Sequence, residues 1–203
     1  MAYKVFTAGS LATASDVNTY LMKQSVIVFA DAAARNAALT SPTEGMLTYQ
    51  ESSDHLTVYN GSAWIPFDTT WTTYTPTLAG VTLGSGSTLS AAYAVIGKTV
   101  IVQFYFALGA TTAITGDVSF SLPINHASSN RSASVGTCVV TDASPATRYP
   151  GTVLLSGTPG YAFIRVGNAS GTYLTQVACS SSVPIAVWAV GDSISTTIIY
   201  QGV

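Results

Sequence analysis

The chain has 203 residues and a mass of 21.0 kDa, which is enough for one or two domains of ordinary size. Apolar residues make up 48 % of the sequence but charged residues only 8 %, against about 25 % in a typical soluble protein. Seven basic side chains and a net charge of −2 cannot form a patch that follows nucleic-acid phosphates, and no apolar run approaches the ~20 residues that span a bilayer. We therefore expect no nucleic-acid partner, no membrane insertion, and a surface that is either buried in an assembly or covered by uncharged polar residues.

The distribution of charge predicts two parts. Nine of the sixteen charged side chains precede Thr69, and a Thr-rich run follows them. We therefore predict an N-terminal region at residues 1–67, a linker at 68–76 and a C-terminal domain at 77–203. The first residues do not form an apolar secretion signal, so we expect the protein to stay in the cytoplasm in which it is made.

The N-terminal region is predicted to be a small α+β unit of short helices and a β-meander. Ser15 or Asp16 can cap a first short helix, and Asp31 can cap a second helix that Ser41–Pro42 ends. Val26–Phe29 predicts a buried strand between the helices. The meander strands are predicted at Gly45–Gln50, His55–Tyr59 and Ser62–Phe67. A meander of this size needs a partner surface to be stable.

The C-terminal domain is predicted to be an antiparallel β-sandwich or jelly-roll-like knob, so that the fold as a whole is mainly β. Short apolar strands alternate with turn signals every dozen or so residues, as is typical of such folds. The predicted strands are Tyr93–Ile96, Thr99–Leu108, Asp117–Leu122, Ala133–Thr141, Arg148–Ser156, Tyr161–Val166, Thr172–Cys179, Ile185–Val190 and Ser193–Tyr200.

One predicted strand, Thr99–Leu108, is apolar at its even positions and largely apolar at its odd positions, where Gln103 is the polar exception after Thr99. A sheet in an isolated sandwich normally has one apolar and one polar face, so the outer face of this strand is expected to contact another subunit. Ile185–Val190 shows the same pattern. Burial of both faces inside one large sandwich is the alternative. The predicted interface residues are Ile101, Gln103, Tyr105 and Trp188.

The residues that could carry chemistry are few. Asp117, Asp142 and Asp192 each adjoin a turn signal, where a carboxylate typically accepts hydrogen bonds from local backbone amides. His55 and His126 lie in different parts of the chain without a third ligand at metal-binding spacing. We therefore predict no catalytic residue, no metal and no cofactor, with a cell-wall depolymerase as the enzymatic alternative.

The cysteines and three of the tyrosines of the C-terminal domain can each be interpreted as structural or as functional residues. Cys138 and Cys179 lie in apolar strand contexts and are expected to be buried free thiols. Tyr149, Tyr161 and Tyr173 lie at strand ends, where they could stack on sugar rings or pack within the protein.

Segments of both parts resemble minor tail proteins, or short tail-fibre proteins, of tailed phages that infect actinobacteria. Phe6–Gln24 is similar to their F-x-x-G-x-L-x-x-A-x-D-V-N-x-Y-L type of opening element. Val26–Arg35 is similar to the V-x-x-F-A-D-x-A-A-R type of segment that follows it. Softer similarities to phage fibre hairpins and β domains occur at Val58–Trp64, Trp71–Pro76, Ile96–Lys98 and Pro184–Tyr200.

The resemblance implies a homotrimeric virion protein, assembled in the bacterial cytoplasm, that is not an enzyme. Residues 1–67 would attach to other virion proteins, and the knob would meet a host cell-wall glycan or another surface receptor. A head fibre or capsid decoration protein with the same plan is the alternative. Because binding residues concentrate on the loops of rigid β scaffolds, the expected receptor contacts are Asn125, His126, Asn130, Asp142 and Thr147.

Overall fold

A computed structural model describes residues 7–22, 25–67, 70–127, 133–168 and 173–203. The chain forms two compact units, Met1–Thr69 and Thr70–Val203, and the division falls within the segment 68–76 that the charge pattern marks as a linker. The fold is mainly β, with a small helical N-terminal part and a curled antiparallel sheet of the β-sandwich type, as the sequence predicts.

The helical segments of the N-terminal unit are short. They comprise α1 (Ala14–Asp16), which continues into a π-helical turn (Val17–Leu21), and α2 (Ala32–Ala38). Thr13 caps α1, because its hydroxyl accepts from the Asp16 amide at 3.1 Å while the Asp16 carboxylate accepts from the Thr13 amide at 3.2 Å. The predicted cap of α2 is confirmed, since Asp31 accepts from the Ala34 amide at 2.8 Å. None of the described helices is long and apolar enough to cross a membrane.

The N-terminal unit contains a four-stranded sheet in the order β1-β2-β3-β4. Its strands are β1 (Val26–Phe29), β2 (Leu47–Gln50), β3 (His55–Tyr59) and β4 (Trp64–Pro66). The antiparallel meander β2-β3-β4 is confirmed, but β1 pairs in parallel with β2 and α2 forms the crossover between them. The prediction that β1 is buried is wrong, because β1 is an edge strand whose residues alternate between exposed and half-buried.

The C-terminal unit contains a ten-stranded sheet in the order β5-β7-β8-β14-β10-β11-β12-β9-β6, with β13 paired to β12 beside β9. All of its recorded pairings are antiparallel. The strands are β5 (Thr72–Thr73), β6 (Leu78–Thr82), β7 (Thr88–Ile96), β8 (Thr99–Ala107), β9 (Ala113–Ser121), β10 (Ser134–Asp142), β11 (Thr147–Leu155), β12 (Tyr161–Asn168), β13 (Thr175–Ala178) and β14 (Ser193–Gln201).

The sheet curls so that its two halves enclose the core. Phe104 of β8 stacks on Phe120 of β9 with ring centroids 4.4 Å apart, although these strands are not neighbours in the sheet. The even positions of β8, from Val100 to Phe106, are buried in this core together with the inward residues of the other long strands. Tyr74 packs against one edge of this core, where its hydroxyl donates a hydrogen bond to the Ser121 carbonyl at 3.4 Å.

The predicted strand at Ile185–Val190 does not form. The Asp192 carboxylate accepts from the Ala189 amide at 2.7 Å, and the Trp188 indole donates to the Ser180 carbonyl at 2.9 Å. These local bonds hold the segment in a compact loop, which takes its backbone out of the sheet. The alternation of apolar residues in Ile185–Val190 is therefore not evidence of a two-sided strand.

The two cysteines are buried and free, as predicted. Burial raises the pKa of the Cys138 thiol to about 11, with a hydrogen bond to the Arg165 carbonyl as a second contact. Burial likewise raises the pKa of Cys179 to about 12, with smaller contributions from Cys138 and Asp117. Both thiols therefore stay protonated at neutral pH and are poor nucleophiles.

The raised thiol pKa values predict a loss of stability at alkaline pH. Above about pH 9 the unfolded chain releases these protons before the folded chain does, so the free energy of unfolding falls as the pH rises towards about 12. We expect the double variant Cys138→Ala/Cys179→Ala to lose stability less steeply over this range in urea titrations. Equal slopes for the two proteins would contradict the assignment.

The close packing around Gly151 predicts that a larger residue at this position destabilises the fold. A Cβ at this position would collide with the Arg165 carbonyl oxygen and lie 2.7 Å from Cys138 Sγ, whereas one at Gly157 would meet no atom within 4 Å. We expect Gly151→Ala to lower the free energy of unfolding by about 1–3 kcal/mol or more, as overpacking does. Gly157→Ala serves as the matched control, and urea unfolding of both variants measures the difference. A similar result for both would show that the close approach is not a constraint.

Candidate functional site

Four neighbouring strands of the C-terminal unit present an extended outward surface whose lining residues carry no formal charge. We define the outer face as two rows of residues that cross β7, β8, β14 and β10 in register. One row is Ala92, Gln103, Thr197 and Thr137, and the other is Ser90, Tyr105, Ser195 and Val139. Ile101 and Ile199, which pair with each other, extend the face at one end.

The outer face arises from the two-residue period of the strands. Along β8 and β14 the inward positions are buried, whereas the outward positions Gln103, Ser195, Thr197 and Ile199 are exposed and Tyr105 keeps 42 % of its surface. A single copy of the chain therefore does not cover this side of the sheet. The alternative in which one sandwich buries both sides of β8 is wrong.

A hollow of about 450 Å³ lies in the outer face. Gln103, Tyr105 and Val139 are its largest outward side chains, and the small residues Ser90 and Ser195 leave space between them. None of the side chains that line the hollow is ionisable at neutral pH; they offer hydroxyl, amide and apolar surface only. Such a surface can meet another uncharged surface without the cost of burying an unpaired charge.

The predicted interface residues fall into two groups in the structure. Ile101, Gln103 and Tyr105 lie together on the outer face. Trp188 does not lie on this face: it is half-buried in the loop before β14, where its indole nitrogen is already bonded to the Ser180 carbonyl. Its inclusion in the interface was based on a strand that does not exist.

Residues of β10 and β14 on the outer face were not identified as interface residues from the sequence. Ser195 and Thr197 alternate with Ile194 and Ile198, so the sequence of β14 is sufficient to predict which of its residues point outward. The sequence does not show that β14 lies between β8 and β10, because that order depends on pairings between distant segments.

The prediction that His126 contacts a receptor is wrong. His126 pairs with Gly202 in an isolated bridge and its side chain is 0 % exposed. Its Nδ1 lies 3.0 Å from the Ala127 carbonyl oxygen, and its Nε2 has no hydrogen-bond partner among the described residues. The bridge draws this segment against the end of β14, so the ring packs inside the unit.

The other predicted receptor contacts do not form one site. Asn125 is exposed beside the chain terminus, where its carbonyl accepts from the Val203 amide at 3.1 Å. Asp142 and Thr147 pair with each other at the base of a tight hairpin next to the opposite end of β14. The nine residues of β14 separate these places by roughly 30 Å at 3.3 Å per residue. Asn130 lies outside the described residues.

A second hollow, of about 410 Å³, lies beside β11, β12 and β13. Tyr149, Leu174 and Gln176 are among its lining residues, and Tyr173 next to it is 81 % exposed. An aromatic ring, an aliphatic side chain and an amide around one hollow are the kinds of group that position a small polar ligand.

Two of the three predicted turn carboxylates bond to nearby backbone amides, whereas Asp117 lies inside β9, so the prediction that it is a turn residue is wrong. Asp142 accepts from the Ser144 amide at 3.0 Å, and Asp192 accepts from the Ala143 and Ala189 amides at 2.9 and 2.7 Å. The prediction of local backbone bonding is thus confirmed for these two residues. Within the described ranges, no group of three or more His, Cys, Asp or Glu side chains could hold a metal ion.

No protein-family model, curated protein or solved structure matches the chain.

The hydrogen bonds of Asp192 predict that removing its carboxylate destabilises the protein more than removing the carboxylate of Asp142 does. Asp192 is fully buried and holds the loop 189–192 to the hairpin at Ala143, so Asp192→Ala removes two hydrogen bonds from backbone amides to a charged group. We expect this variant to lose about 2 kcal/mol or more of unfolding free energy, because hydrogen bonds to charged groups contribute about 1.5–3 kcal/mol each. Asp142→Ala, whose one amide bond is exposed, should lose less than about 1 kcal/mol in the same urea titration. Equal losses would contradict the anchoring role.

Proposed function

We propose that this protein is a homotrimeric structural component of a virion, a minor tail or tail-fibre protein that mediates attachment to the host surface. The observation that carries the proposal is the outer face, whose two rows contain no side chain that is charged at neutral pH and which the described residues of a single copy leave open. The resemblance of Phe6–Gln24 and Val26–Arg35 to actinobacteriophage tail proteins supports the virion assignment.

The dimensions of the outer face support an interface between copies. The whole outward side of these four strands, of which the two rows are the central part, is four strands wide at about 4.8 Å each and nine residues long at about 3.3 Å each, which gives a footprint of roughly 570 Å². A stable protein interface buries about 800 Å² on each partner, so the outward side of these strands supplies a large share of it. Because the face carries no charge, identical copies approach without electrostatic repulsion, which favours a second copy of the chain over a charged partner.

The second hollow supports the attachment role. Its aromatic and amide side chains suit a sugar unit of a cell-wall glycan better than the predicted residues do, since those residues lie at opposite ends of β14. We therefore assign host contact to the surface around Tyr149, Leu174 and Gln176. Residues 1–67 would then attach the knob to other virion proteins.

Light scattering on the purified full-length chain tests the oligomer. We expect a mass three times that of the 21.0 kDa chain. Tyr105→Glu places a charge in the outer face and should shift the protein to the monomer mass, because burying an unpaired carboxylate costs several kcal/mol. Tyr173→Glu is the matched control: it adds the same charge at an exposed tyrosine away from the outer face and should leave the trimer intact.

Two results would contradict the proposal. A monodisperse monomer of the unsubstituted chain excludes self-assembly, and a trimer that survives Tyr105→Glu excludes the outer face as its interface. Immunoelectron microscopy of the phage, with antibodies against the full chain, tests the location. Gold at the tail tip supports the tail assignment, whereas gold on the capsid replaces it with a head fibre or decoration protein.

A further inference from the structure

One face of the small N-terminal sheet lies under α2, and the other face, which is apolar, is left open. The residues of one face share a register across all four strands: Val26, Leu47, Val58 and Ile65 form one row, and Val28, Tyr49, Leu56 and Phe67 form the next. We call these eight residues the open face. None of them is charged, and the members at its margins are the most exposed, with Val28 at 58 % and Phe67 at 73 %.

The opposite face is the one that α2 covers, and its centre is polar. Thr48 and Thr57 are buried there with their hydroxyl oxygens 2.8 Å apart, and Arg35 of α2 donates to Thr57 Oγ1 at 3.4 Å. The Arg35 guanidinium also lies 4.6 Å from the centre of the Trp64 ring. Ile27, Phe29 and Trp64 flank this polar centre on the same face, so both faces of the sheet carry apolar residues but only one of them lies under a helix.

We infer that the open face packs against the open faces of other copies of the same chain. This inference rests on the proposed homotrimer and names the contact that its N-terminal units make. The formal charges of the unit's described residues 25–67 are Asp31, Arg35, Glu44, Glu51 and Asp54, a net charge of −3, and none of them lies on the open face. Asp54 adjoins the face, since its carboxylate accepts a hydrogen bond from the Tyr49 hydroxyl at 2.9 Å, but copies that meet through the two rows of the open face bury no charged member of those rows.

The size of the open face favours a copy of the chain over an independent partner. Four strands about 4.8 Å apart and two rows about 6.6 Å apart give roughly 250 Å². A free partner needs about 800 Å² per side for a stable interface. Copies already held together by their C-terminal units need far less, because the tether gives the N-terminal units an effective concentration of roughly millimolar.

Cross-linking of the full-length chain tests the inference. Val28→Cys places a thiol on the open face, and Ala33→Cys places one on the exposed side of α2, which covers the opposite face. With a short bis-maleimide, we expect Val28→Cys to give a band at twice the 21.0 kDa chain mass and Ala33→Cys to give none. The unsubstituted chain should also give none, since Cys138 and Cys179 are buried. Ile65→Cys, on the far strand of the same face, repeats the test if Val28→Cys folds poorly.

Light scattering on the same samples separates this inference from the proposed function. A trimer in which neither Val28→Cys nor Ile65→Cys cross-links overturns the inference and leaves the trimer standing, with the open face assigned to another virion protein. A monomer without cross-links overturns both. Equal cross-linking of Ala33→Cys and Val28→Cys also overturns the inference, because it shows contact without a preferred face.

Discussion

The alternation of side chains across a pleated strand is the constraint on which the molecule depends. Because successive residues point to opposite sides, each strand fixes two surfaces at once. In the C-terminal unit this constraint puts Phe104 against Phe120 in the core and leaves Gln103 and Tyr105 outside. In the N-terminal unit the same period puts Thr48 and Thr57 beneath α2 and therefore leaves the open face on the other side of the sheet.

The scarcity of charged residues determines the character of the two surfaces that the sheets leave open. Hydroxyl and amide groups replace charged groups on the outer face, so water can solvate a free copy while a neighbour can displace that water at low cost. Most positions of the open face have neither a charged group nor a hydroxyl or amide group. Covering the open face therefore removes apolar surface from water, which is favourable. In the proposed homotrimer, the outward side of β7, β8, β14 and β10 would hold the copies together, and the open face would make contact only among copies already held together.

Much of the fold was predictable from local patterns, and much of the site was not. The capping role of Asp31, the meander and strand β8 follow from residues that are near each other in sequence, and the structure confirms them. The loop that contains Trp188 was predicted to be a strand because its apolar residues alternate. The hydrogen bond from the Ala189 amide to Asp192 holds this backbone in a loop instead. His126 was misplaced because its partner, Gly202, is 76 residues away. The parallel pairing of β1 likewise depends on a non-local contact that no local pattern contains.

The position of β14 has a consequence for folding. β14 lies in the interior of the ten-stranded sheet and pairs with β8 on one side and β10 on the other, although both strands are distant from it in sequence. Pairings between distant segments form late, because the intervening chain must first be brought together. A folding intermediate without β14 therefore exposes two bare strand edges, at which another chain can pair and aggregate.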